Sequence, residues 1–307
     1  MTTLALDAVS TACQQRLTDH YGDDAGNWLD TVPRLLTDAA KRWGLRVDGY
    51  HDVGHASVVA TARDQDGRHV VVKAWFDRTR FAHEVDALRL WADGPVARLL
   101  DADPNGATAL LEMVGGRPGG AQAPRCETQS TALAIHGLHL RAHGSSLTNW
   151  LPRLDAHLHD EVLPRIRERQ AAVGQGPHHD LVRTAARRLP HLEPNPERAT
   201  VLHGDLYREN VLFDEHGSPR LIDPLPMAGD AAYDWGFWIV YHDLGAKTDL
   251  RLSTAVEFSE IARADLLAWA HLMALDGLLY YLTVDDSRID TMHNVLAWLH
   301  KELDVWR

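Results

Sequence analysis

Two cysteines in 307 residues, Cys13 and Cys126, allow one bridge at most and exclude a disulfide framework. No apolar run approaches the roughly 20 residues that cross a bilayer. Residues 1–24 lack a basic segment leading into an apolar one, so no signal peptide is expected and the cytoplasm is the expected compartment. Positive charge is also scarce. Lys and Arg number 31 against 43 Asp and Glu, a formal net charge of −12, which argues against a nucleic-acid partner. An acidic balance is compatible with a cationic ligand, but an acidic surface is more often a solubility device. No G-x-x-x-x-G-K-[ST] is present, which excludes a P-loop, and 19 histidines include no H-E-x-x-H pair. No repeat or low-complexity tract stands out.

What remains is an ordinary globular composition, 45% hydrophobic and 24% charged, in a chain long enough for two lobes. Residues 1–45 read as a helical extension: Trp28, Val32, Leu35 and Leu36 recur at helical spacing, and Pro33 suits a first turn. Residues 46–113 read as a small β-rich lobe. Two β-rich runs flank the turn at Asp64–Gly67. An amphipathic helix follows, with Phe81, Val85, Leu88 and Trp91 on one stripe, and then two more strands. Residues 114–307 form a larger, mainly helical lobe, interrupted by a hairpin at 200–222. The fold class is α+β, with a small antiparallel sheet before a helical lobe.

Two sets of polar residues stand out because burial would cost them dearly without partners. Lys73 lies inside a strand, and Glu84 lies on the apolar stripe of the next helix. Either Lys73 snorkels to water with Glu84 at the stripe's margin, or the two pair so that the ammonium meets an anion such as a nucleotide phosphate. The second set is in "HGDLYRENVLFDEHGSPRLIDP", residues 203–224. Reading Val211–Phe213 and Arg220–Ile222 as antiparallel strands sets Asp214 against Pro219. Asn210 then falls opposite Asp223. An amide oxygen and a carboxylate at one end of a hairpin suit Mg²⁺, which takes oxygen ligands and keeps waters and phosphates in its other positions. Asp205, on the loop before the first strand, is placed to orient a hydroxyl and accept its proton. Each of these residues singly is common in turns and caps. His203 suits a packing role, and Asp230 and Asp234 fit the start of an apolar helix.

"HGDLYRENVLF" followed by "IDP" resembles the catalytic and metal-binding segments of the aminoglycoside phosphotransferases. Within them it is similar to the branch of streptomycin 6-phosphotransferases and hydroxyurea phosphotransferases. H-x-D-x-x-x-x-N is matched at His203, Asp205 and Asn210. The order Lys73, Glu84, "LLEMVGG", Asp205, Asn210, Asp223 follows the kinase-like order over roughly residues 45–245, and "RLIDP" and "GDAAYD" match further segments of the branch.

The resemblance implies a protein-kinase-like two-lobe fold that moves the γ-phosphoryl of ATP, with GTP left open, to a hydroxyl of an aminoglycoside, O-6 of streptomycin first. Asp205 would act on the acceptor and Asn210 and Asp223 would bind Mg²⁺. Lys73, paired with Glu84, would contact the phosphates. The Glu112 carbonyl and Val114 N–H would meet the adenine edge, and Gly54 to Ser57 would cover the phosphates. His203 and Asp234 would support the catalytic loop. Pro-Leu-Pro after Asp223, in place of Phe-Gly, implies no regulated activation segment. The expected partner is a small, cationic, polyhydroxylated molecule met by a monomer, with no membrane or nucleic acid. Its contacts would come from among Asp243, Glu257, Glu260, Asp276, Asp285, Asp286, Trp235, Trp238, Tyr241 and Trp269. Two other readings stand beside this one: a kinase of hydroxyurea, a sugar or a peptide antibiotic, and a catalytically inactive nucleotide-binding module.

Overall fold

Helical extension and sheet are built on one core. The computed structural model describes residues 6–51, 56–174, 176–189 and 192–305. Its chain divides into two compact units, residues 1–124 with 212–222, and residues 125–211 with 223–307. In the first unit α1 (Thr11–Tyr21), α2 (Asp24–Leu29) and α3 (Val32–Arg42) precede β1 (Arg46–Tyr50), β2 (Ser57–Arg63) and β3 (His69–Trp75). Ser10 caps α1 through the Cys13 N–H, and α3 carries Pro33 in its first turn, where a missing N–H costs nothing. After α4 (Arg78–Leu90) come β4 (Leu99–Asp103) and β5 (Thr108–Glu112), and the antiparallel sheet runs β1-β2-β3-β5-β4.

Alternation along the strands decides what each face buries. Val58, Ala60 and Ala62 of β2 and Val70, Val72 and Ala74 of β3 join Leu17, Leu29, Val32 and Leu36 of α1–α3 in one core. The opposite face carries Trp75 and Ala109, which pack with Phe81 and Val85 of α4. Asp77 starts α4 by accepting the Thr79 and Arg80 N–H groups at 2.8 and 3.2 Å. Cys13 and Cys126 stay thiols, the first buried and the second exposed.

The second unit holds α5 (Glu127–Ala142), α6 (Leu154–His157), α7 (Leu163–Ala172) and α8 (His179–Ala186). Then come β6 (Ala199–Leu202), the hairpin β7 (Val211–Phe213) and β8 (Pro219–Leu221), most of which groups with the first unit, and β9 (Met227–Asp230). The chain ends in α9 (Ala232–Tyr241), α10 (Thr248–Ser259), α11 (Arg263–Val284) and α12 (Ile289–Val305). Helix α9 is apolar nearly all round and correspondingly buried. By length and composition α11 is apolar enough to cross a membrane, but 67% of its apolar window is buried inside the protein, so it is the central helix of a core.

Two strand details differ from the sequence reading. Residues 200–202 pair with β9, Ala199 opposite Asp230 and Leu202 opposite Met227, and not with the hairpin. "MAGD" offers no β-branched residue to mark it as a strand. The hairpin is also one residue out of the expected register. The Asp214 N–H donates to the Ser218 carbonyl and the Gly217 N–H to the Asp214 carbonyl, both at 2.9 Å, with Gly217 at φ 74°. A turn closed by a left-handed glycine takes up the extra residue. Asn210 and Asp223 are therefore not cross-strand partners.

Candidate active site

Strand β6 ends in the buried Leu202 and delivers the chain to His203, Gly204 and Asp205. Gly204 has φ 78°, and a Cβ there would collide with the Leu225 carbonyl oxygen, so only glycine fits. The Leu225 N–H donates to the His203 carbonyl at 2.8 Å and ties the loop to the segment after Asp223. Beneath the loop lies Asp234, in the first turn of α9 and fully buried. Its Oδ2 accepts the His203 N–H at 2.7 Å, its Oδ1 accepts the Gly204 N–H at 2.8 Å, and His139 Nε2 of α5 lies 2.9 Å from Oδ2. A buried carboxylate is tolerable because it gathers donors, and here two of them are backbone groups of the loop.

Asp205 and Asn210 are brought together. Asn210 Nδ2 donates to the Asp205 carbonyl at 2.9 Å and to Asp205 Oδ2 at 2.8 Å. The Asp205 N–H in turn faces His203 Nδ1 at 3.4 Å, and His203 is fully buried. The Asn210 amide nitrogen is thus committed, which directs its oxygen elsewhere as an acceptor. Asp223 follows the hairpin with φ 53°, a left-handed conformation that aspartate tolerates better than most residues. Among the described residues no group of three or more His, Cys, Asp or Glu is set to hold a metal. An amide oxygen and one carboxylate fit a hard cation whose remaining ligands are phosphate and water.

Lys73 and Glu84 form a buried ion pair in the first unit, 4% and 1% exposed. Lys73 Nζ donates to Glu84 Oε1 at 2.6 Å, and Trp75 Nε1 donates to Glu84 Oε2 at 2.9 Å. The ammonium also lies 4.7 Å from the Trp75 ring centroid. The snorkelling alternative is excluded by this burial.

Ser57 opens β2 and is buried, whereas Gly54 lies outside the described residues. Glu112 closes β5 with its carboxylate on Arg98 at 2.6 Å, and Val114 begins a short 3₁₀ turn. Asp230 does more than start a helix. It accepts the Ala232 N–H at 3.0 Å and holds Arg198 at 2.7 and 2.8 Å, and Arg198 also pairs with Asp265. Sequence reasoning missed His139, which sits 95 residues from Asp234 with no motif around it. It also missed Tyr207, two residues past Asp205. That ring meets Phe237 edge to face at 4.9 Å and lies tilted against Tyr241 at 5.1 Å, and its phenol is pushed up by burial and then by the Asp205 charge.

A sequence model of one family, aminoglycoside/hydroxyurea antibiotic resistance kinases, matches residues 42–275, which include every one of these side chains. The chain belongs to that family. The kinase is 26% identical over 285 residues to a streptomycin 6-kinase of Streptomyces glaucescens, covering 90% of this chain and 92% of the relative. It is 28% identical over 216 residues to a hydroxyurea phosphotransferase of Kitasatospora aureofaciens, covering 70% of this chain and 63% of the relative. A spectinomycin phosphotransferase solved with ADP and spectinomycin superposes with a TM-score of 0.59 at 11% identity, covering 86% of this chain and 93% of that one. The fold is protein-kinase-like, α+β, with a small antiparallel-sheet lobe and a helical lobe, and the protein is a small-molecule kinase.

Most residues proposed to meet a cationic acceptor are engaged within the kinase. Trp235, Trp238 and Trp269 are core residues. Tyr241 donates its hydroxyl to the Met273 carbonyl at 3.1 Å. Asp276 is held by Arg165 at 2.5 Å and Arg169 at 3.0 Å, Asp286 by Arg288 at 2.7 Å, and Asp243 lies 3.7 Å from Arg208. Glu257, Glu260 and Asp285 are exposed.

Proposed function

We propose that this kinase transfers the γ-phosphoryl group of ATP to a hydroxyl of an aminoglycoside, with O-6 of streptomycin as the leading acceptor. The observation that carries the reading is Asp205, a carboxylate fixed by Asn210 on a loop that Asp234 holds from beneath. Near full-length similarity to a streptomycin 6-kinase supports the choice of acceptor.

Asp205 orients the acceptor hydroxyl and takes its proton as the oxygen attacks the γ-phosphorus. The transition state is loose, so positioning carries most of the catalysis. Lys73, aimed by Glu84, offsets phosphate charge, and Ser57 and Gly54 contribute to phosphate contact. The Glu112 carbonyl and Val114 N–H take the adenine edge. Asn210 and Asp223 would hold Mg²⁺, which supplies further charge neutralisation when bound. His203 and Asp234 support the loop. Thiol cysteines and use of ATP fit the cytoplasm.

A second reading has its own support. With Asp243, Asp276 and Asp286 paired to arginines, fewer carboxylates remain for a polycation, which favours a less charged acceptor such as hydroxyurea. An inactive nucleotide-binding module is disfavoured, because such a module has no use for Asp205.

The test is acceptor-dependent ATP consumption over a panel holding streptomycin, other aminoglycosides, hydroxyurea and simple sugars. Streptomycin should stimulate turnover, and Asp205→Asn should lower kcat by about 100-fold or more while the protein stays folded. Near-normal turnover in that variant would remove Asp205 from its role. Stimulation by another acceptor alone would displace streptomycin.

A further inference from the structure

The matched family segment begins at residue 42, so α1–α3 precede it except for Arg42, the last residue of α3. These helices do more than cover one face of the sheet. Tyr21, the last residue of α1, donates its hydroxyl to the Ala56 carbonyl at 2.9 Å, one residue before β2 begins. Its ring meets that of Phe76 at 5.0 Å, one residue after β3 ends, and Trp28 of α2 meets the same ring at 5.7 Å. Ser57 and Trp75 are paired across these two strand ends, and Lys73 is paired with Val59 just inside them. A second phenol works in the opposite direction. Tyr50, the last residue of β1, donates its hydroxyl to the Asp7 carbonyl at 2.8 Å.

The ends of β2 and β3, the strand that carries Lys73, therefore converge on one tyrosine of the extension, and β1 reaches back to the extension through another. Strand ends are where a sheet frays most easily, because the ladder stops there. A hydrogen bond from a phenol backed by a packed helix fixes such an end at low entropic cost, since tyrosine has few rotatable bonds.

We propose that α1–α3 brace the nucleotide-binding end of the sheet, with Tyr21 and Tyr50 as positioning residues for Ser57 and Lys73. This role presupposes the nucleotide-dependent reading given above. Burial holds the Tyr50 phenol up at about 12 and raises that of Tyr21 as well, so both hydroxyls stay protonated donors at neutral pH.

The test is calorimetric titration of the full chain with Mg²⁺ and a non-hydrolysable ATP analogue, beside a thermal melt. Tyr21→Phe should weaken nucleotide binding about 3- to 10-fold, the range for one lost hydrogen bond. Adding Tyr50→Phe should weaken it further. Thr37→Val removes a hydrogen bond of the same extension, Thr37 Oγ1 to the Pro33 carbonyl at 2.7 Å, and should leave affinity unchanged. If Tyr21→Phe fails to fold, Tyr50→Phe gives the same readout, because Tyr50 is only half-buried at the end of β1. Unchanged affinity in the double variant, or an equal loss in Thr37→Val, would overturn the brace while leaving the kinase reading intact. An unaltered chain that binds no nucleotide would overturn both.

Discussion

Replacing Glu84 with glutamine tests whether the Lys73 ammonium is held for an anion or only for stability. The geometry fixes the expectation. Glu84 accepts from Lys73 at 2.6 Å and from Trp75 at 2.9 Å in a region that excludes water. Glutamine keeps one carbonyl oxygen and turns an NH₂ toward the second donor, so the Lys73 ammonium loses the charge of Glu84. Breaking one side of a buried ion pair costs about 3–5 kcal/mol. A cost of about 4 kcal/mol lowers the melting temperature by about 6 °C if the whole chain unfolds together and by about 14 °C if the first unit unfolds alone. The double variant Lys73→Met, Glu84→Leu removes both charges and should recover most of that stability, since apolar replacement of a buried pair is often neutral. It should not recover nucleotide affinity. Thermal melts and nucleotide titration on the two variants separate these effects. A Glu84→Gln protein within about 1 kcal/mol of the parent would refute the buried-charge argument. A double variant that is stable and binds nucleotide normally would refute the role of Lys73.

Two further outcomes follow from the loop and the helical core. Gly204→Ala should cost about 3 kcal/mol or more in denaturant unfolding and shift Asp205 with it, because φ is 78° and the new Cβ meets the Leu225 carbonyl; a loss under about 1 kcal/mol would show that the loop yields easily. Stability should also fall with acidification. His271, which faces His300 at 3.2 Å between α11 and α12, is pushed down to about 3 by burial, with the neighbouring His300 and Arg188 charges adding to the effect. Its folded pKa lies below the unfolded value near 6.5, so its contribution is complete above pH 6.5 and is lost as pH falls toward 3, at about 1.4 kcal/mol per pH unit. His242 and His293 are lowered too and act in the same direction. Urea unfolding from pH 7 to 4 checks this, and a His271→Gln profile as steep as the parent's would contradict it.

Much of this architecture could be read from the chain because its signals are local. Alternation around Asp64–Gly67 and the stripe Phe81, Val85, Leu88 are short-range patterns, and both elements formed where they were expected. The Lys73–Glu84 pair was legible because a carboxylate on an apolar stripe demands a partner nearby. What stayed hidden depended on distance or on a single backbone angle. Nothing near His139 points to Asp234, 95 residues away. The hairpin register turned on one left-handed glycine, Gly217, which sets Asp214 against Ser218 in place of Pro219. The acidic and aromatic residues of the second lobe looked alike in sequence. Packing separated the tryptophans of the core from the aspartates paired to arginine.

The central claim is a transfer of one phosphoryl group to an alcohol, and the most direct measurement is on the product. Streptomycin incubated with the kinase, ATP and Mg²⁺ should gain the mass of one phosphate, and NMR should place it on O-6. An unmodified mass under conditions where the same preparation binds nucleotide and phosphorylates no other hydroxyl compound would contradict the account.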